Sequence, residues 1–216
     1  MVEITEAEHR AAEKIFGDRL GLAERYVEHL ATSGTERGLI GPREIPRLWG
    51  RHVLNCAVIE SEIAQGSHVA DVGSGAGLPG LCLAIARPDL ELTLIEPLER
   101  RVIWLQEVVD DLGLDNVTIM RTRAELAVGM VKVNVVTARA VSALSNLAGL
   151  TIPLLDGEGE VVAIKGRSAA EELQKAAKLI RRLGGVQTSV VTVGQDLLDE
   201  PTTVVRIVVK KSRKIA

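Results

Sequence analysis

The segment that decides the fold reads Asp71-Val72-Gly73-Ser74-Gly75-Ala76-Gly77-Leu78-Pro79-Gly80. It overlaps a short apolar run, His68–Val72, and leads into an apolar segment of helical length, Leu78–Ala86. In open parallel sheets, nucleotide-like ligands bind at such strand-to-helix junctions, at the carboxyl edge of the strands. Glycines let the backbone turn sharply there and approach a ligand closely. The segment therefore predicts an α/β fold with a ligand site at the turn.

The spacing of the glycines separates two classes of ligand. A dinucleotide fingerprint G-x-G-x-x-G that begins at Gly73 needs its third glycine at position 78, where this chain has Leu78. Asp71 also places a carboxylate beside the turn, which repels a diphosphate and attracts an ammonium group. S-adenosylmethionine carries an ammonium group and a sulfonium, and it has no phosphate. The turn therefore predicts S-adenosylmethionine, with Asp71, Gly73, Gly75 and Leu78 as cofactor-binding residues.

Residues after the next two predicted strands extend this cofactor site. Glu96 ends the second strand about 20 residues beyond the turn, where a carboxylate can accept hydrogen bonds from ribose hydroxyls. Ala124 and Glu125 follow the third strand, so a backbone amide there can donate to an adenine nitrogen and the Glu125 carboxylate can accept from the exocyclic amine. Purely structural roles stay open: a turn cap for Asp71, a solvated strand end for Glu96 and a helix N-terminal acid for Glu125.

Strands and helices alternate along the rest of the chain, which predicts a mostly parallel sheet covered on both faces. The predicted strands are His68–Val72, Glu91–Glu96, Val117–Arg121, Val133–Ala138, Glu160–Lys165, Gln187–Val193 and Thr202–Val209. The predicted helices are Leu78–Ala86, Glu99–Leu112, Ser142–Leu155 and Ser168–Leu183. Because no long helical segment separates the last two strands, we expect them to form an antiparallel hairpin at one sheet edge.

The first 65 residues predict a helical extension packed on this core. Apolar residues recur at helical spacing from about Thr5 to Leu30, with interruptions at Gly17 and Gly21, and this pattern predicts two short helices. A third helical pattern runs from about Pro46 to Ala64. We therefore expect residues 1–65 to form the extension and residues 66–216 to form the core that carries the cofactor site.

Composition excludes several classes of protein. The chain has 216 residues, 46% of them hydrophobic and 25% charged, as expected for a globular domain. No apolar run reaches the roughly 20 residues of a membrane span, and the N-terminus is too charged for a signal peptide, so we expect a cytoplasmic protein. Cys56 and Cys82 have no metal-ligand spacing, which predicts buried free thiols and no metal. The formal net charge of −3 restricts contact with RNA to local basic patches. We expect a monomer.

If the ligand is a methyl donor, the sequence disfavours some classes of methyl acceptor. Methylation of a pyrimidine at carbon 5 needs a cysteine nucleophile, and neither Cys56 nor Cys82 lies at the end of the fourth strand. Exocyclic amine methylation is commonly served by an Asn/Asp-Pro-Pro-aromatic segment, and here that place reads Val136-Thr137-Ala138-Arg139-Ala140. A group with a free lone pair remains, such as guanine N7 or a hydroxyl. Direct displacement onto a ring nitrogen needs alignment more than a general base.

Four segments resemble the bacterial RsmG (GidB) family, whose members methylate N7 of a guanine in 16S ribosomal RNA. They are Arg51-His52-Val53-Leu54-Asn55, the glycine segment continued through Ala86-Arg87-Pro88, Thr137-Ala138-Arg139-Ala140-Val141, and Ala163-Ile164-Lys165-Gly166. The resemblance covers nearly the whole chain. It implies a class I S-adenosylmethionine-dependent methyltransferase fold, which is Rossmann-like, and 16S ribosomal RNA or the small ribosomal subunit as partner. It implies cofactor contacts at Gly73, Leu78, Ala124, Glu125 and Arg139. Asn55 and Asn134 depart from the family pattern, which usually has Asp at both positions.

Basic residues near the predicted carboxyl edge are candidates for handling the substrate. We expect Arg139 and Lys165 to have positioning roles in catalysis: Arg139 on the methionine carboxylate or a phosphate, and Lys165 on a phosphate or guanine O6. An ordinary ion pair with Glu96 or Glu125 is the alternative for Arg139. The RNA-binding candidates are Arg47, Arg51, His52 and Lys165, with Arg37, Arg43 and the tail Lys210-Lys211-Ser212-Arg213-Lys214 in support, and Trp49 as a packing anchor among them.

Two other functions stay open at the level of sequence. A nicotinamide-dependent oxidoreductase shares the sheet and Glu96, although Leu78 and Asp71 disfavour it. A non-catalytic RNA-assembly factor with a vestigial nucleotide pocket fits the same residues, because the proposed displacement leaves no nucleophile whose absence would be diagnostic.

Overall fold

The computed structural model describes residues 2–210, in which seven strands form one sheet. The strands are β1 (His68–Val72), β2 (Glu91–Ile95), β3 (Val117–Met120), β4 (Val135–Arg139), β5 (Gly159–Lys165), β6 (Gly185–Val193) and β7 (Thr202–Val209). Their order is β3-β2-β1-β4-β5-β7-β6. The first five strands pair in parallel, and β7 is antiparallel to both β5 and β6. The mostly parallel sheet and its terminal hairpin are therefore confirmed.

Helices cover both faces of the sheet. Each of the strands β1 to β5 is followed by one α-helix. In the same order, these helices are α4 (Gly80–Ala86), α5 (Glu99–Leu112), α6 (Ala124–Ala127), α7 (Leu144–Thr151) and α8 (Ala169–Arg182). Side chains of β1 alternate between two cores, because successive strand residues point to opposite faces. Val69 packs in the core that contains α4 and α5, whereas Ala70 and Val72 pack in the core that contains α6, α7 and α8.

The N-terminal region adds a helical layer over α4 and α5. It comprises α1 (Glu6–Phe16), α2 (Leu20–His29), a π-helical turn (Leu30–Gly34), a 3₁₀ segment (Pro42–Arg47), a π-helical segment (Leu48–Leu54), α3 (Asn55–Ala57) and a second 3₁₀ segment (Val58–Glu62). Thr5 and Glu8 form a capping box that begins α1. Tyr26, Leu48 and Leu54 are fully buried in the same core as α4 and α5. The extension therefore has no separate core from the sheet.

The element boundaries differ from the predictions at a few places. The predicted third helix of the extension is broken into 3₁₀, π and α turns, and Pro46, which has no backbone N–H to donate, lies in the first of them. The fourth strand begins at Val135 and not at Val133. Asn134 lies before it and accepts a hydrogen bond from the His68 N–H through Oδ1 at 2.8 Å. The amide of Asn134 thus serves as an acceptor that needs no charge.

The cysteines agree with a further expectation, and two other features are absent from the described residues. Cys56 and Cys82 are both buried free thiols, as predicted. Across residues 2–210, no helix is long and apolar enough to cross a membrane. In the same part of the chain, no group of three or more His, Cys, Asp or Glu side chains is placed to hold a metal ion.

Candidate cofactor site

The glycine turn between β1 and α4 requires its glycines. Gly73, Gly75 and Gly77 have φ angles of +69°, +58° and +83°, in the left-handed region that other residues rarely adopt. The N–H groups of Gly73 and Ser74 donate to the carbonyl of Ile95 at 2.9 and 3.3 Å. These bonds tie the turn to the end of β2, so the two predicted halves of the cofactor site lie against each other.

Asp71 occupies a more enclosed place than the sequence suggested. Its side chain is fully buried, and Oδ2 accepts a hydrogen bond at 3.0 Å from the N–H of Gly80, the first residue of α4. Burial raises its pKa to about 7. Within residues 2–210, its Oδ1 atom has no hydrogen-bond partner. This geometry is that of a cap on the following helix, which was the structural alternative for Asp71. A contact between Asp71 and the ammonium group of the cofactor stays a prediction.

Glu96 lies at the end of β2, directly beside the turn. It is 1% exposed, and its carboxylate accepts from the N–H of Gly75 at 3.0 Å and from the N–H of Leu98 at 2.9 Å. Arg101 on α5 contacts the same carboxylate at 3.5 Å. The alternative of a solvated strand end is therefore wrong for Glu96. Its carboxylate faces the glycine turn, in the place expected of a ribose ligand.

The predicted adenine end lies next to Glu96. The N–H of Glu96 donates to the carbonyl of Met120, the last residue of β3, at 3.2 Å. Ala124, which is buried, begins α6 shortly after that strand, and the adjacent Glu125 is exposed. The structure therefore brings Ala124 and Glu125 to the same edge of the sheet as Glu96, with Glu125 open to solvent.

Arg139 ends β4 on the neighbouring strand. Its guanidinium donates to Nδ1 of His52 at 3.0 Å and to the backbone carbonyl of Arg51 at 3.4 Å. Within residues 2–210 no ion pair forms between Arg139 and Glu96 or Glu125, so this alternative is wrong for the structure. Beyond Arg139 the chain passes over the turn, and a Cβ atom at Gly73 would lie 3.1 Å from Cγ2 of Val141.

Lys165, at the end of β5, has partners that the sequence did not suggest. Its Nζ donates to the carbonyl of Ser142 at 2.9 Å and forms an ion pair with Glu172 at 2.8 Å. Glu172 in turn accepts from the N–H of Leu144, the first residue of α7, at 2.8 Å. The Lys165 side chain is 11% exposed. Lys165 thus anchors the loop that follows β4, and a direct contact with RNA stays a prediction.

The RNA-binding candidates differ in their partners and in their exposure. Arg37, Arg43 and Arg47 are all exposed, and Arg37 forms an ion pair with Glu107 on α5 at 2.6 Å. His52 faces inward toward Arg139, so it does not extend the exposed basic surface. Arg51 is exposed and lies 3.7 Å from Glu44. Trp49 is 4% exposed, which confirms that it is a packing anchor. In the tail, residues 211–214 lie outside the described residues.

A cavity of about 460 Å³ adjoins two of these arginines. Arg47 and Arg51 line it together with Leu54 and with Asp199 and Glu200 of the loop between β6 and β7. The end of β6 lies at the carboxyl edge of the sheet, because β6 runs parallel to β5. The cavity is therefore on the same edge as the glycine turn but is lined by the extension and the terminal hairpin.

Two residues of the site were not recognised from the sequence. Tyr26, fully buried in α2, donates its hydroxyl to the carbonyl of Ala76 at 2.6 Å, and burial raises its pKa. Thr137 is the register partner of Asp71 on β4, and its Oγ1 is buried without a partner in the described range. A polar residue inside an apolar strand is a signal that could have identified Thr137. Helical spacing gives no such signal for Tyr26.

The residues at this edge fit S-adenosylmethionine by their chemistry. Each carboxylate oxygen of Glu96 accepts one backbone N–H and has a second lone pair that suits a hydroxyl group, and the left-handed glycines keep side chains away from the turn. Ala124 and Glu125 offer a backbone donor and a carboxylate acceptor. Arg139 offers a guanidinium with no carboxylate partner in residues 2–210. These groups match the ribose, the adenine and the carboxylate of the cofactor in turn.

Sequence comparison gives relatives over the whole chain. A family model described as GidB, rRNA small subunit methyltransferase G, matches residues 19–201. A ribosomal RNA small subunit methyltransferase G from Arthrobacter sp. (strain FB24) is 87% identical, with both chains covered completely. Its counterpart from Renibacterium salmoninarum is 68% identical over 99% of this chain and 100% of that protein.

Structural comparison supports the fold alone, because the identities are low. M. jannaschii TYW2 in complex with AdoMet superposes with a TM-score of 0.57 at 15% identity, over 76% of this chain and 78% of that chain. Precorrin-6y C5,15-methyltransferase from Geobacter metallireducens GS-15 gives 0.53 at 15% identity, over 81% and 91% of the two chains. The sheet is thus that of class I S-adenosylmethionine-dependent methyltransferases. The chain belongs to the GidB family, rRNA small subunit methyltransferase G, and is an S-adenosylmethionine-dependent methyltransferase.

Proposed function

We propose that this chain transfers the methyl group of S-adenosylmethionine to N7 of a guanine in 16S ribosomal RNA of the small ribosomal subunit. One observation carries the proposal: Glu96, the glycine turn and Arg139 meet at one edge of the sheet, in a chain that aligns end to end with small-subunit rRNA methyltransferases. S-adenosylmethionine supplies an electrophilic methyl group when it is bound there.

Direct displacement is the reaction that suits these residues. Guanine N7 has a free lone pair and no proton to remove, so the protein needs to hold the two reactants in line. A cysteine nucleophile is not at hand, because both Cys56 and Cys82 are 0% exposed. Arg139 and the loop anchored by Lys165 are placed to position the reactants. The proposal therefore needs no covalent intermediate and no metal.

The RNA reaches this edge across the extension. Arg43, Arg47 and Arg51 are exposed on the segments that lead to His52 and Arg139, and Arg47 and Arg51 line the cavity described above. Their charges suit phosphate groups in a chain whose net charge is −3. Residues 1–65 then act as a wall of the site on the core formed by residues 66–216. The protein acts as a monomer in the cytoplasm, where ribosomal subunits are assembled.

Methyl transfer tests this function directly. Small-subunit particles that lack the modification are incubated with the protein and S-adenosylmethionine labelled in its methyl group. Label is expected in one guanine, at which reduction and aniline treatment cleave the RNA, as they do at N7-methylguanine. Gly73→Asp is the inactive control, because its side chain would enter the left-handed turn against Val141. Transfer to an atom other than guanine N7, or binding of particles without any transfer, would contradict the proposal. The comparisons give no support to a nicotinamide-dependent oxidoreductase or to a non-catalytic RNA-assembly factor.

A further inference from the structure

His52 lies between a carboxylate and the guanidinium of Arg139. Its Nε2 atom is 2.8 Å from Oε2 of Glu44, and its Nδ1 atom is 3.0 Å from a terminal nitrogen of Arg139. The His52 side chain is 11% exposed, and that of Glu44 is 30% exposed. The three residues form a continuous chain of hydrogen bonds from the extension to the end of β4.

The chemistry of the partners fixes the state of the imidazole. A guanidinium only donates hydrogen bonds and a carboxylate only accepts them. Nδ1 of His52 must therefore be the unprotonated acceptor for Arg139, and Nε2 must carry the proton that is donated to Glu44. The ring is thus neutral and in one tautomer, which Glu44 selects.

A neutral acceptor holds Arg139 without cancelling its charge. A carboxylate in the place of His52 would pair with the guanidinium and reduce its attraction for an anionic ligand. The backbone carbonyl of Arg51, at 3.4 Å, is likewise an uncharged acceptor. Both uncharged contacts come from the π-helical segment Leu48–Leu54, so that segment orients the guanidinium and leaves its positive charge available.

We propose that His52, held by Glu44, is a positioning residue for methyl transfer, because it fixes the charged guanidinium of Arg139 at the edge of the cofactor site. The inference rests on the proposed function in one respect: Arg139 is taken to face the carboxylate of the cofactor. Glu44 sets the tautomer, His52 sets the direction of the guanidinium, and neither contacts the cofactor itself.

This arrangement makes cofactor binding depend on pH with a defined sign. The charged groups that face His52 are Glu44, Arg51 and Arg139. Burial lowers the pKa of His52, the two arginines lower it further, and Glu44 raises it. His52 therefore stays neutral at pH 7, and acidification below its pKa protonates Nδ1. The acceptor is then lost, and a positive charge is placed against Arg139.

Three variants separate positioning from simple packing. His52→Asn keeps an acceptor oxygen near the place of Nδ1 but does not titrate. His52→Leu removes the acceptor. Glu44→Gln keeps an acceptor for Nε2–H but removes the charge that raises the pKa of His52. His68→Asn is the matched control, because His68 pairs with Glu91 at the opposite end of β1 and its side chain is 52% exposed.

The measurement is calorimetric binding of S-adenosylhomocysteine from pH 5 to pH 8, with Asp71→Asn present in every chain, including the reference that is called wild type here, because Asp71, whose pKa is about 7, titrates in the same range. Wild-type affinity should fall on the acid side, and the fall should move to lower pH in Glu44→Gln. His52→Asn should bind within about threefold of wild type at pH 7.5 without the acid fall, whereas His52→Leu should lose about tenfold. His68→Asn should behave as wild type. Circular dichroism checks the fold of each variant, and if His52→Leu does not fold, His52→Asn and Glu44→Gln still decide the outcome.

Two results would overturn the inference. One is unchanged affinity in His52→Leu, and the other is an acid fall that persists in His52→Asn or stays in place in Glu44→Gln. Failure of the proposed function can be distinguished from failure of this inference, because the binding of S-adenosylhomocysteine is measured without RNA. In that case the pH dependence would survive while no methyl group reached guanine N7.

Discussion

At the scale of single residues, Glu96 combines a structural role in the glycine turn with its predicted contact to the cofactor. Its carboxylate holds the N–H groups of Gly75 and Leu98, and it also lies where a ribose is expected. Glu96→Gln keeps one acceptor oxygen and loses the charge. Since a hydrogen bond to a charged group contributes about 1.5–3 kcal/mol, we expect affinity for S-adenosylmethionine to fall by roughly 10- to 100-fold.

Calorimetry measures this loss, and thermal unfolding shows whether the turn is also weakened. Glu91→Gln is a suitable control, because Glu91 begins the same strand at its exposed end. An affinity equal to wild type in Glu96→Gln would remove Glu96 from the cofactor site.

Asp71 makes a prediction about stability. Burial raises its pKa to about 7 from a usual value of 3.8, so the folded chain binds this proton more tightly than the unfolded chain. The stabilisation is complete at acid pH and is lost as pH rises through about 7, with a slope of at most about 1.4 kcal/mol per pH unit. Asp71→Asn keeps an acceptor for the Gly80 N–H and does not titrate. It should therefore flatten the fall in the free energy of unfolding between about pH 4 and pH 7, the range between the two pKa values.

Urea denaturation at several pH values checks this outcome. Asp199 is exposed, so Asp199→Asn, which removes a carboxylate at the surface, serves as the control. Parallel stability curves for Asp71→Asn and wild type would show that Asp71 does not titrate in this range.

At the scale of elements, the loop after β4 depends on β5 and α8. Lys165 binds the carbonyl of Ser142 and Glu172, and Glu172 binds the N–H of Leu144. Lys165→Met should release this loop while filling the same space. Because small errors in alignment slow a displacement strongly, we expect the rate of methyl transfer to fall at least about tenfold.

The rate under saturating substrate measures this effect. Lys175→Met on the exposed side of α8 should leave the rate unchanged. Equal rates in Lys165→Met and wild type would show that the anchor is not needed for catalysis.

The elements also show which features the sequence can predict. The bounds of β1, α5 and β7 agree with the prediction, because alternation and helical spacing are local signals. The segment from Pro42 to Glu62 mixes 3₁₀, π and α turns, so no single period describes it. Glu44 and His52 are eight residues apart and meet only because of those turns, and their hydrogen bond was therefore not predictable.

Burial is the second limit on prediction from sequence. The positions of Asp71 and Glu96 were predictable, because both lie near the end of a strand beside the glycine turn. It was not predictable that backbone N–H groups donate to their carboxylates, because those hydrogen bonds depend on how α4 and the loop after β2 fold over the turn. The donors are Gly80 for Asp71, and Gly75 and Leu98 for Glu96. The same limit applies to Lys165, whose partner Glu172 comes from a helix that follows it in the chain.

At the scale of the whole molecule, the basic surface of the extension accounts for RNA binding by a chain of negative net charge. Arg43→Glu combined with Arg47→Glu should weaken RNA binding. The double substitution should also reduce the salt slope, which is the steepness with which the logarithm of the binding constant falls with the logarithm of the salt concentration, by about 1.4. Each phosphate of single-stranded RNA that an arginine neutralises adds about 0.7 to that slope. Arg181→Glu with Arg182→Glu changes the net charge equally at the far end of α8 and serves as the control.

Filter binding of RNA at several salt concentrations gives the salt slope of the Arg43 and Arg47 variant and that of the Arg181 and Arg182 control. A slope that is unchanged by the Arg43 and Arg47 substitutions, or reduced equally by the control, would place the RNA on another surface.

We propose that one edge of the sheet holds S-adenosylmethionine between the glycine turn, Glu96, Ala124, Glu125 and Arg139. A crystal structure with S-adenosylhomocysteine bound decides whether it does. We expect the ribose hydroxyls on Glu96, the adenine beside Ala124 and Glu125, and the carboxylate on Arg139. Density for the ligand in the cavity lined by Arg47 and Arg51, with no contact to the glycine turn, would show that the cofactor binds elsewhere.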